Sequence, residues 1–91
     1  MFCGSDQIAR GVAEGLQAAG RKIPGDVALV GFDNWTVMTD ACRPPLTTVD
    51  MNLPLVGKRA AETLLAAIDG RASSGTELVP CRLVVRESTR V

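Results

Sequence analysis

Short apolar runs alternate along this chain with longer segments of helical spacing, and this alternation restricts the possible folds more than any other feature. The segments Gln7–Ala19 and Pro54–Asp69 repeat apolar residues every three or four positions, the period of an amphipathic helix. Strands that alternate with such helices are typical of right-handed βαβ units in a parallel sheet, so the sequence predicts an α/β fold. The expected strands are Phe2–Cys3, Val27–Val30, Leu46–Val49 and Leu78–Val85, with Trp35–Arg43 as an irregular stretch and Arg71–Thr76 as a polar connector.

The predicted sheet lacks parts that an independent lobe requires. Its first strand, Phe2–Cys3, is short, whereas strands usually run to about five or six residues. Parallel sheets are covered by helices on both faces, and the two predicted helices are too few for that. We therefore expect an incomplete lobe, the C-terminal part of a longer protein whose sequence enters here inside a strand.

Composition excludes several classes of function. Ten Lys and Arg residues balance ten Asp and Glu residues among 91, so a basic nucleic-acid-binding surface is not expected on this chain. The sequence contains no His, which removes the commonest general base and metal ligand. No nucleophile and base can be paired either. We expect no catalytic residues, no metal site and no cofactor, and hence no enzyme.

The cysteines and the apolar runs indicate a cytoplasmic protein. Cys3, Cys42 and Cys81 are odd in number and widely spaced, so they suggest neither a zinc site nor a disulfide framework. Unpaired thiols suit a reducing compartment. No signal peptide is visible, and no apolar run approaches the roughly 18 residues of a membrane span. We expect no contact with a membrane.

Two predicted loops follow the carboxyl ends of strands, where ligands bind in open α/β sheets. The first loop carries Ser5 at the start of a helix, where free amides favour oxygen-rich ligands. The second loop is Phe32-Asp33-Asn34-Trp35, which offers a carboxylate, an amide and two aromatic faces. Carboxylates accept hydrogen bonds from hydroxyl groups, and aromatic faces pack against the apolar side of a sugar or base. This set predicts a site for a polar, ring-shaped metabolite.

Each of these candidates also has a purely structural interpretation. Ser5 and Asp6 have side chains that commonly cap a helix. Asp33 and Asn34 are residue types common in turns after strands. Trp35 is equally well explained as a surface or interface anchor. The residues alone leave these alternatives open.

Five motifs follow one another along the chain: Ser5–Gly11, Ala18–Asn34, Arg43–Val49, Gly57–Ala61 and Leu83–Thr89. Together they resemble the effector-binding domain of the lactose/galactose repressor (LacI/GalR) family of transcriptional regulators. Their order and spacing are those of the family, and the resemblance covers essentially all of the chain. It implies an α/β, parallel-sheet lobe of the periplasmic-binding-protein-like type I fold, here incomplete.

The resemblance also implies a function. Residues 1–91 would form the C-terminal portion of the effector-binding domain of a repressor. A sugar-like small molecule would bind between two lobes, and the full-length protein would act as a homodimer. Operator DNA would be bound only through an N-terminal helix-turn-helix domain that has no counterpart in this chain. The alternative is a fragment of the sugar-binding protein of a transport system, which shares the fold and the cleft.

The resemblance assigns roles to particular residues. Asp33 matches the family's recurrent effector-binding aspartate, and Ser5 matches a position that often adds a polar contact. The chain would cross between the lobes at Thr48–Asn52, and Leu53 and Val56 would wall the cleft. With Phe32, Asn34 and Trp35, these residues form the expected ligand-binding set.

Overall fold

The computed structural model describes residues 1–71 and 75–90, so part of the predicted connector Arg71–Thr76 lies outside the described residues. Helices and short extended segments alternate, as the sequence predicts. The elements are helix α1 (Asp6–Ala18), helix α2 (Thr36–Ala41), strand β1 (Thr48–Asp50), helix α3 (Leu53–Ile68), strand β2 (Arg82–Val84) and a 3-10 turn at Glu87–Thr89.

Parallel pairing holds the first three extended segments side by side. The amide of Cys3 donates to the carbonyl of Val30 at 2.8 Å, and the amide of Gly31 donates to the carbonyl of Thr47 at 2.8 Å. Val30 thereby forms parallel bridges to Phe2 on one side and to Thr47 on the other. The parallel arrangement predicted for these segments is therefore confirmed, although the expected strand Val27–Val30 is reduced to a single bridge at Val30.

The last strand runs in the opposite direction from the one predicted. β2 pairs with β1 antiparallel, with Thr48 opposite Val84 and Asp50 opposite Arg82. β1 leads directly into α3, and the chain after α3 re-enters the sheet at Arg82, opposite Asp50, the end at which β1 leaves it. A strand that returns in this way meets its neighbour antiparallel. The prediction of a purely parallel sheet was therefore wrong for this strand.

Helix α1 begins immediately after its N-cap residue, Ser5. The hydroxyl of Ser5 accepts a hydrogen bond from the amide of Ile8 at 3.1 Å, so the helix starts at Asp6, one residue before the predicted start. Gly20, with φ of 76°, follows its end. The face of α1 that carries Ala9 and Ala13 packs into a small core. The core residues are Cys3, Ala9, Ala13, Leu29, Cys42 and Leu46.

Helix α2 corrects the irregular stretch predicted for Trp35–Arg43. The carbonyl of Trp35 accepts hydrogen bonds from the amides of Met38 and Thr39, which closes the first turn. Thr39 is fully buried against the rest of the fold. A helix this short with β-branched residues has weak intrinsic propensity, so tertiary packing decides its formation and periodicity does not reveal it.

Helix α3 is confirmed close to its predicted bounds, but its surroundings differ from those of α1. Its sixteen residues all lie in the described part of the chain, and none of them is buried. Leu64, Leu65 and Ile68 are each more than 60% exposed. This exposure agrees with the expectation that the helix lacks a covering sheet here. No helix within residues 1–71 and 75–90 is long and apolar enough to cross a membrane.

Candidate functional site

The loop Phe32–Trp35 projects from the carboxyl end of the central extended segment. Its amides are tied to β1, since Asp33 donates to the carbonyl of Val49 at 3.0 Å and Asn34 donates to the hydroxyl of Thr48 at 3.3 Å. Asp33 has φ of 122° and Asn34 has φ of 55°, both in the region that favours glycine. Backbone strain of this kind costs about 1–3 kcal/mol and clusters at functional sites.

A buried carboxylate, that of Asp6, holds this loop in place. One of its oxygens accepts from the amide of Trp35 at 2.6 Å, and the other accepts from the hydroxyl of Thr48 at 2.5 Å. The amide of Asp6 in turn donates to the carbonyl of Phe32 at 2.9 Å. Asp6 thus joins α1, the loop and β1, a role that the sequence analysis missed because it considered this residue only as a helix cap or a ligand contact.

The carboxylate of Asp33 has no bonding partner among the residues that the structure describes. The residue is partly buried, and its side chain forms no hydrogen bond or ion pair with any residue in 1–71 and 75–90. Its backbone, by contrast, is fixed by the bond to Val49. A fixed, partly shielded carboxylate that has no partner in the described parts of the chain is well suited to accept hydrogen bonds from hydroxyl groups, and its contact with a ligand stays a prediction.

Asn34 has a different environment from its neighbour. Its amide nitrogen donates to the carboxylate of Asp50 at 3.2 Å, and its amide oxygen accepts from the guanidinium of Arg86 at 2.9 Å. Arg86 is held in turn by the carbonyl of Leu46 at 2.9 Å. These contacts orient the side chain of Asn34 and use one of its two N–H donors and one of its two acceptor sites, and its contact with a ligand stays a prediction.

Asp50 lies at the end of β1, where its carboxylate is well supplied with donors. The backbone amide of Asn52 at 2.7 Å and the side-chain amide of Asn34 lower the pKa of Asp50, and the nearby Arg82 guanidinium lowers it further. The group is therefore ionised at neutral pH. Any stability that it contributes is present above its ordinary pKa and is lost as the pH falls through its depressed value.

The aromatic residues of the loop differ in exposure. The ring of Phe32 meets the ring of Phe2 edge to face, with centroids 6.4 Å apart. The side chain of Trp35 is about half exposed, at 49%. Both lie beside Asp33 in the chain, as the expected ring-binding site requires, and their contact with a ligand stays a prediction.

Ser5 is a helix cap in this structure, because its hydroxyl accepts the amide hydrogen of Ile8. We expect Ser5→Ala to lower the free energy of unfolding by about 1 kcal/mol, the usual value of such a cap. Ser5→Asp, which keeps the cap, is expected to leave it nearly unchanged. Chemical denaturation of the two variants checks this. A loss in Ser5→Asp equal to that in Ser5→Ala would contradict the capping role.

Leu53 and Val56 occupy the first turns of α3 and are 55% and 41% exposed. Val56 lines a groove of about 760 Å³ between α3 and residues 75–79, and none of the loop Phe32–Trp35 lines that groove. The structure does not bring these two apolar residues and Asp33 into one cavity. That Leu53 and Val56 wall the effector-binding cleft stays a prediction.

Two cysteines lie away from this site. Cys3 and Cys42 are buried, and this burial raises the pKa of both thiols. They therefore stay protonated at neutral pH, as is typical of buried, unreactive thiols. Within residues 1–71 and 75–90, no three His, Cys, Asp or Glu residues are grouped as a metal site requires.

The fold and the loop define a class of protein that comparison with known families identifies. Residues 1–89 match the family model of the periplasmic binding protein-like domain, and the chain belongs to that family. The fold class inferred from the sequence is thereby confirmed.

Named relatives of the chain are transcriptional repressors. It is 38% identical over 91 residues to the HTH-type transcriptional repressor CytR of Escherichia coli strain K12, covering 99% of this chain and 26% of CytR. It matches a lac repressor dimer bound to operator and the anti-inducer ONPF with a TM-score of 0.93 and 31% identity, covering 100% of this chain and 32% of the repressor. It matches the transcriptional regulator CelR in complex with cellobiose with a TM-score of 0.86 and 36% identity, covering 96% of this chain and 27% of CelR.

These comparisons confirm the resemblance to the LacI/GalR family. The chain spans only about a quarter of the length of the curated relatives that it matches. The similarity therefore concerns one portion of those proteins.

Proposed function

We propose that this chain is the effector-binding portion of a LacI-type transcriptional regulator that senses a sugar-like metabolite in the cytoplasm. In this proposal, residues 1–91 form the C-terminal part of the effector-binding domain. The complete regulator is a homodimer that represses transcription, and it binds operator DNA through a domain outside residues 1–91. The chain itself is not an enzyme.

The observation that carries the proposal is the carboxylate of Asp33. It stands at the carboxyl end of a parallel segment, on a strained backbone, and without a partner among the residues that the structure describes. Two consecutive non-glycine residues with positive φ are uncommon, and strain of this kind clusters at functional sites. A ligand that carries vicinal hydroxyls would satisfy both carboxylate oxygens, and the neighbouring Phe32 offers a ring that packs on the apolar face of a sugar.

The names of the relatives favour a regulator over a transport protein. CytR and the lac repressor are transcriptional repressors, and CelR is a transcriptional regulator whose complex contains cellobiose. The cleft of a transport protein would use the same fold, so the fold alone does not separate the two. The same names support a binding protein over an enzyme, as does the absence of His from the sequence.

Removing the carboxylate of Asp33 is expected to weaken effector binding strongly. We expect Asp33→Ala to raise Kd by roughly 10- to 150-fold, because a charge-assisted contact contributes about 1.5–3 kcal/mol. The measurement is calorimetry on the complete protein, titrated with the member of a panel of cellobiose, lactose and sucrose that binds it.

A matched control is Asp40→Ala, which removes an equal charge from an exposed position on α2. Its Kd is expected to stay within about twofold of that of the unaltered protein, because surface substitutions of this kind have small effects. An unchanged Kd in Asp33→Ala would refute the assignment of Asp33.

A further inference from the structure

A chain of polar contacts connects the loop that carries Asp33 with the start of α3. Asn34, the next residue after Asp33, donates from its side chain to Oδ2 of Asp50 at 3.2 Å. Oδ1 of the same carboxylate accepts from the backbone amide of Asn52 at 2.7 Å. Asn52, with φ of 56°, immediately precedes the first residue of α3, Leu53.

The contacts around this chain determine the orientation of each group. The guanidinium of Arg86 donates to the amide oxygen of Asn34, so the NH₂ group of Asn34 must face Asp50. Arg82, the residue opposite Asp50 on β2, places its guanidinium 3.6 Å from Oδ2 of Asp50. The side chain of Asp50 is 25% exposed, so solvent screens these contacts only in part. Each of the two carboxylate oxygens accepts from a different segment.

From this geometry we infer that Asp50 is a positioning residue that couples the Asp33 loop to the first turn of α3. The inference rests on the proposed function, in which Asp33 and the α3 residues Leu53 and Val56 contact the same effector. Asp50 would then fix how these two parts of the site stand relative to each other. A disturbance at either end would be transmitted through one carboxylate to the other end.

Exchanging the two side chains tests this coupling. Asn34→Asp alone places two carboxylates face to face, which repel each other. Asp50→Asn alone places two NH₂ groups face to face as long as the oxygen at position 50 still accepts from the amide of Asn52, so neither group has an acceptor. In the double variant, the carboxylate at position 34 faces Arg86 and accepts from the new amide at position 50, whose oxygen still accepts from the amide of Asn52. The exchange therefore restores the contact between positions 34 and 50 with its polarity reversed and keeps the contacts to Arg86 and Asn52, while the ion pair with the largely exposed Arg82 is lost.

The measurement is amide hydrogen exchange followed by mass spectrometry on the complete protein, without ligand. In each single variant we expect peptides covering residues 32–36 and 50–56 to exchange together, roughly tenfold faster than in the unaltered protein, while α1 is unaffected. In the double variant both peptides should return to within about twofold of the original rates. Glu14→Gln, which breaks an exposed ion pair with Arg10 on α1, is the control and should change neither peptide.

Two results would overturn the inference. In the first, the faster exchange in the single variants is confined to one of the two peptides. In the second, the double variant exchanges as fast as the single variants. If the single variants do not fold, the double variant decides alone, since its protection is either restored or lost. The test of the proposed function is independent of this one, because it measures the Kd for the effector in the variant Asp33→Ala. Restored hydrogen exchange in the double variant, together with an unchanged Kd in Asp33→Ala, would keep the coupling and refute the assignment of Asp33 as an effector-binding residue.

Discussion

Replacing Asp6 with Ala is expected to lower the free energy of unfolding by about 3 kcal/mol or more. The carboxylate is fully buried and is the acceptor for two donors, the amide of Trp35 and the hydroxyl of Thr48. A buried donor that loses its acceptor costs about 1–3 kcal/mol, and here two lose it at once. Thermal unfolding followed by circular dichroism measures the loss.

The variant Asp6→Asn is the matched control for this prediction. It keeps the size of the side chain and one acceptor oxygen, so only one of the two donors is left without a partner. We expect the free energy of unfolding of Asp6→Asn to lie between that of the unaltered protein and that of Asp6→Ala. A loss below about 1 kcal/mol in Asp6→Ala would contradict the role given to this carboxylate.

Placing a methyl group at Gly31 is expected to have the second large effect. A Cβ atom there would lie 2.9 Å from Cδ2 of Leu46 and closer still to the carboxylate of Asp6. Gly31 and both of these neighbours are buried, so neither side chain can move aside freely. We expect Gly31→Ala to lower the free energy of unfolding by about 1–3 kcal/mol, the usual range for overpacking of a core.

Gly11→Ala provides the control, because a Cβ atom at Gly11 on α1 would have no neighbour within 4 Å. Alanine is the better helix former, so this variant is expected to be more stable by up to about 1 kcal/mol. Opposite signs for the two Gly→Ala substitutions would support the close approach of Gly31 to Asp6. A loss of stability in both would point to a different cause.

The helices α1 and α3 could be predicted from the sequence because each repeats its apolar residues with helical period. Helix α2 could not, since its six residues have no such repeat and form a helix through the burial of Thr39. The antiparallel direction of β2 also could not be predicted from the sequence, because it depends on the end of β1 to which the chain returns after α3.

At the candidate site, the types of residue pointed to a polar ligand but did not separate their roles. Asp33 and Asn34 are adjacent and chemically similar, yet only Asn34 is bonded to Asp50 and Arg86. Those partners are 16 and 52 positions away in the chain, a separation that no local pattern encodes. The same holds for Asp6, whose partners Trp35 and Thr48 lie on other segments.

The most direct test of the account is a crystal structure of the complete protein with the panel member that binds it. We predict that a carboxylate oxygen of Asp33 lies about 2.5–3.0 Å from a hydroxyl oxygen of the bound molecule. The account would be contradicted by a ligand bound elsewhere while the Asp33 carboxylate accepts hydrogen bonds from backbone amides of its own loop.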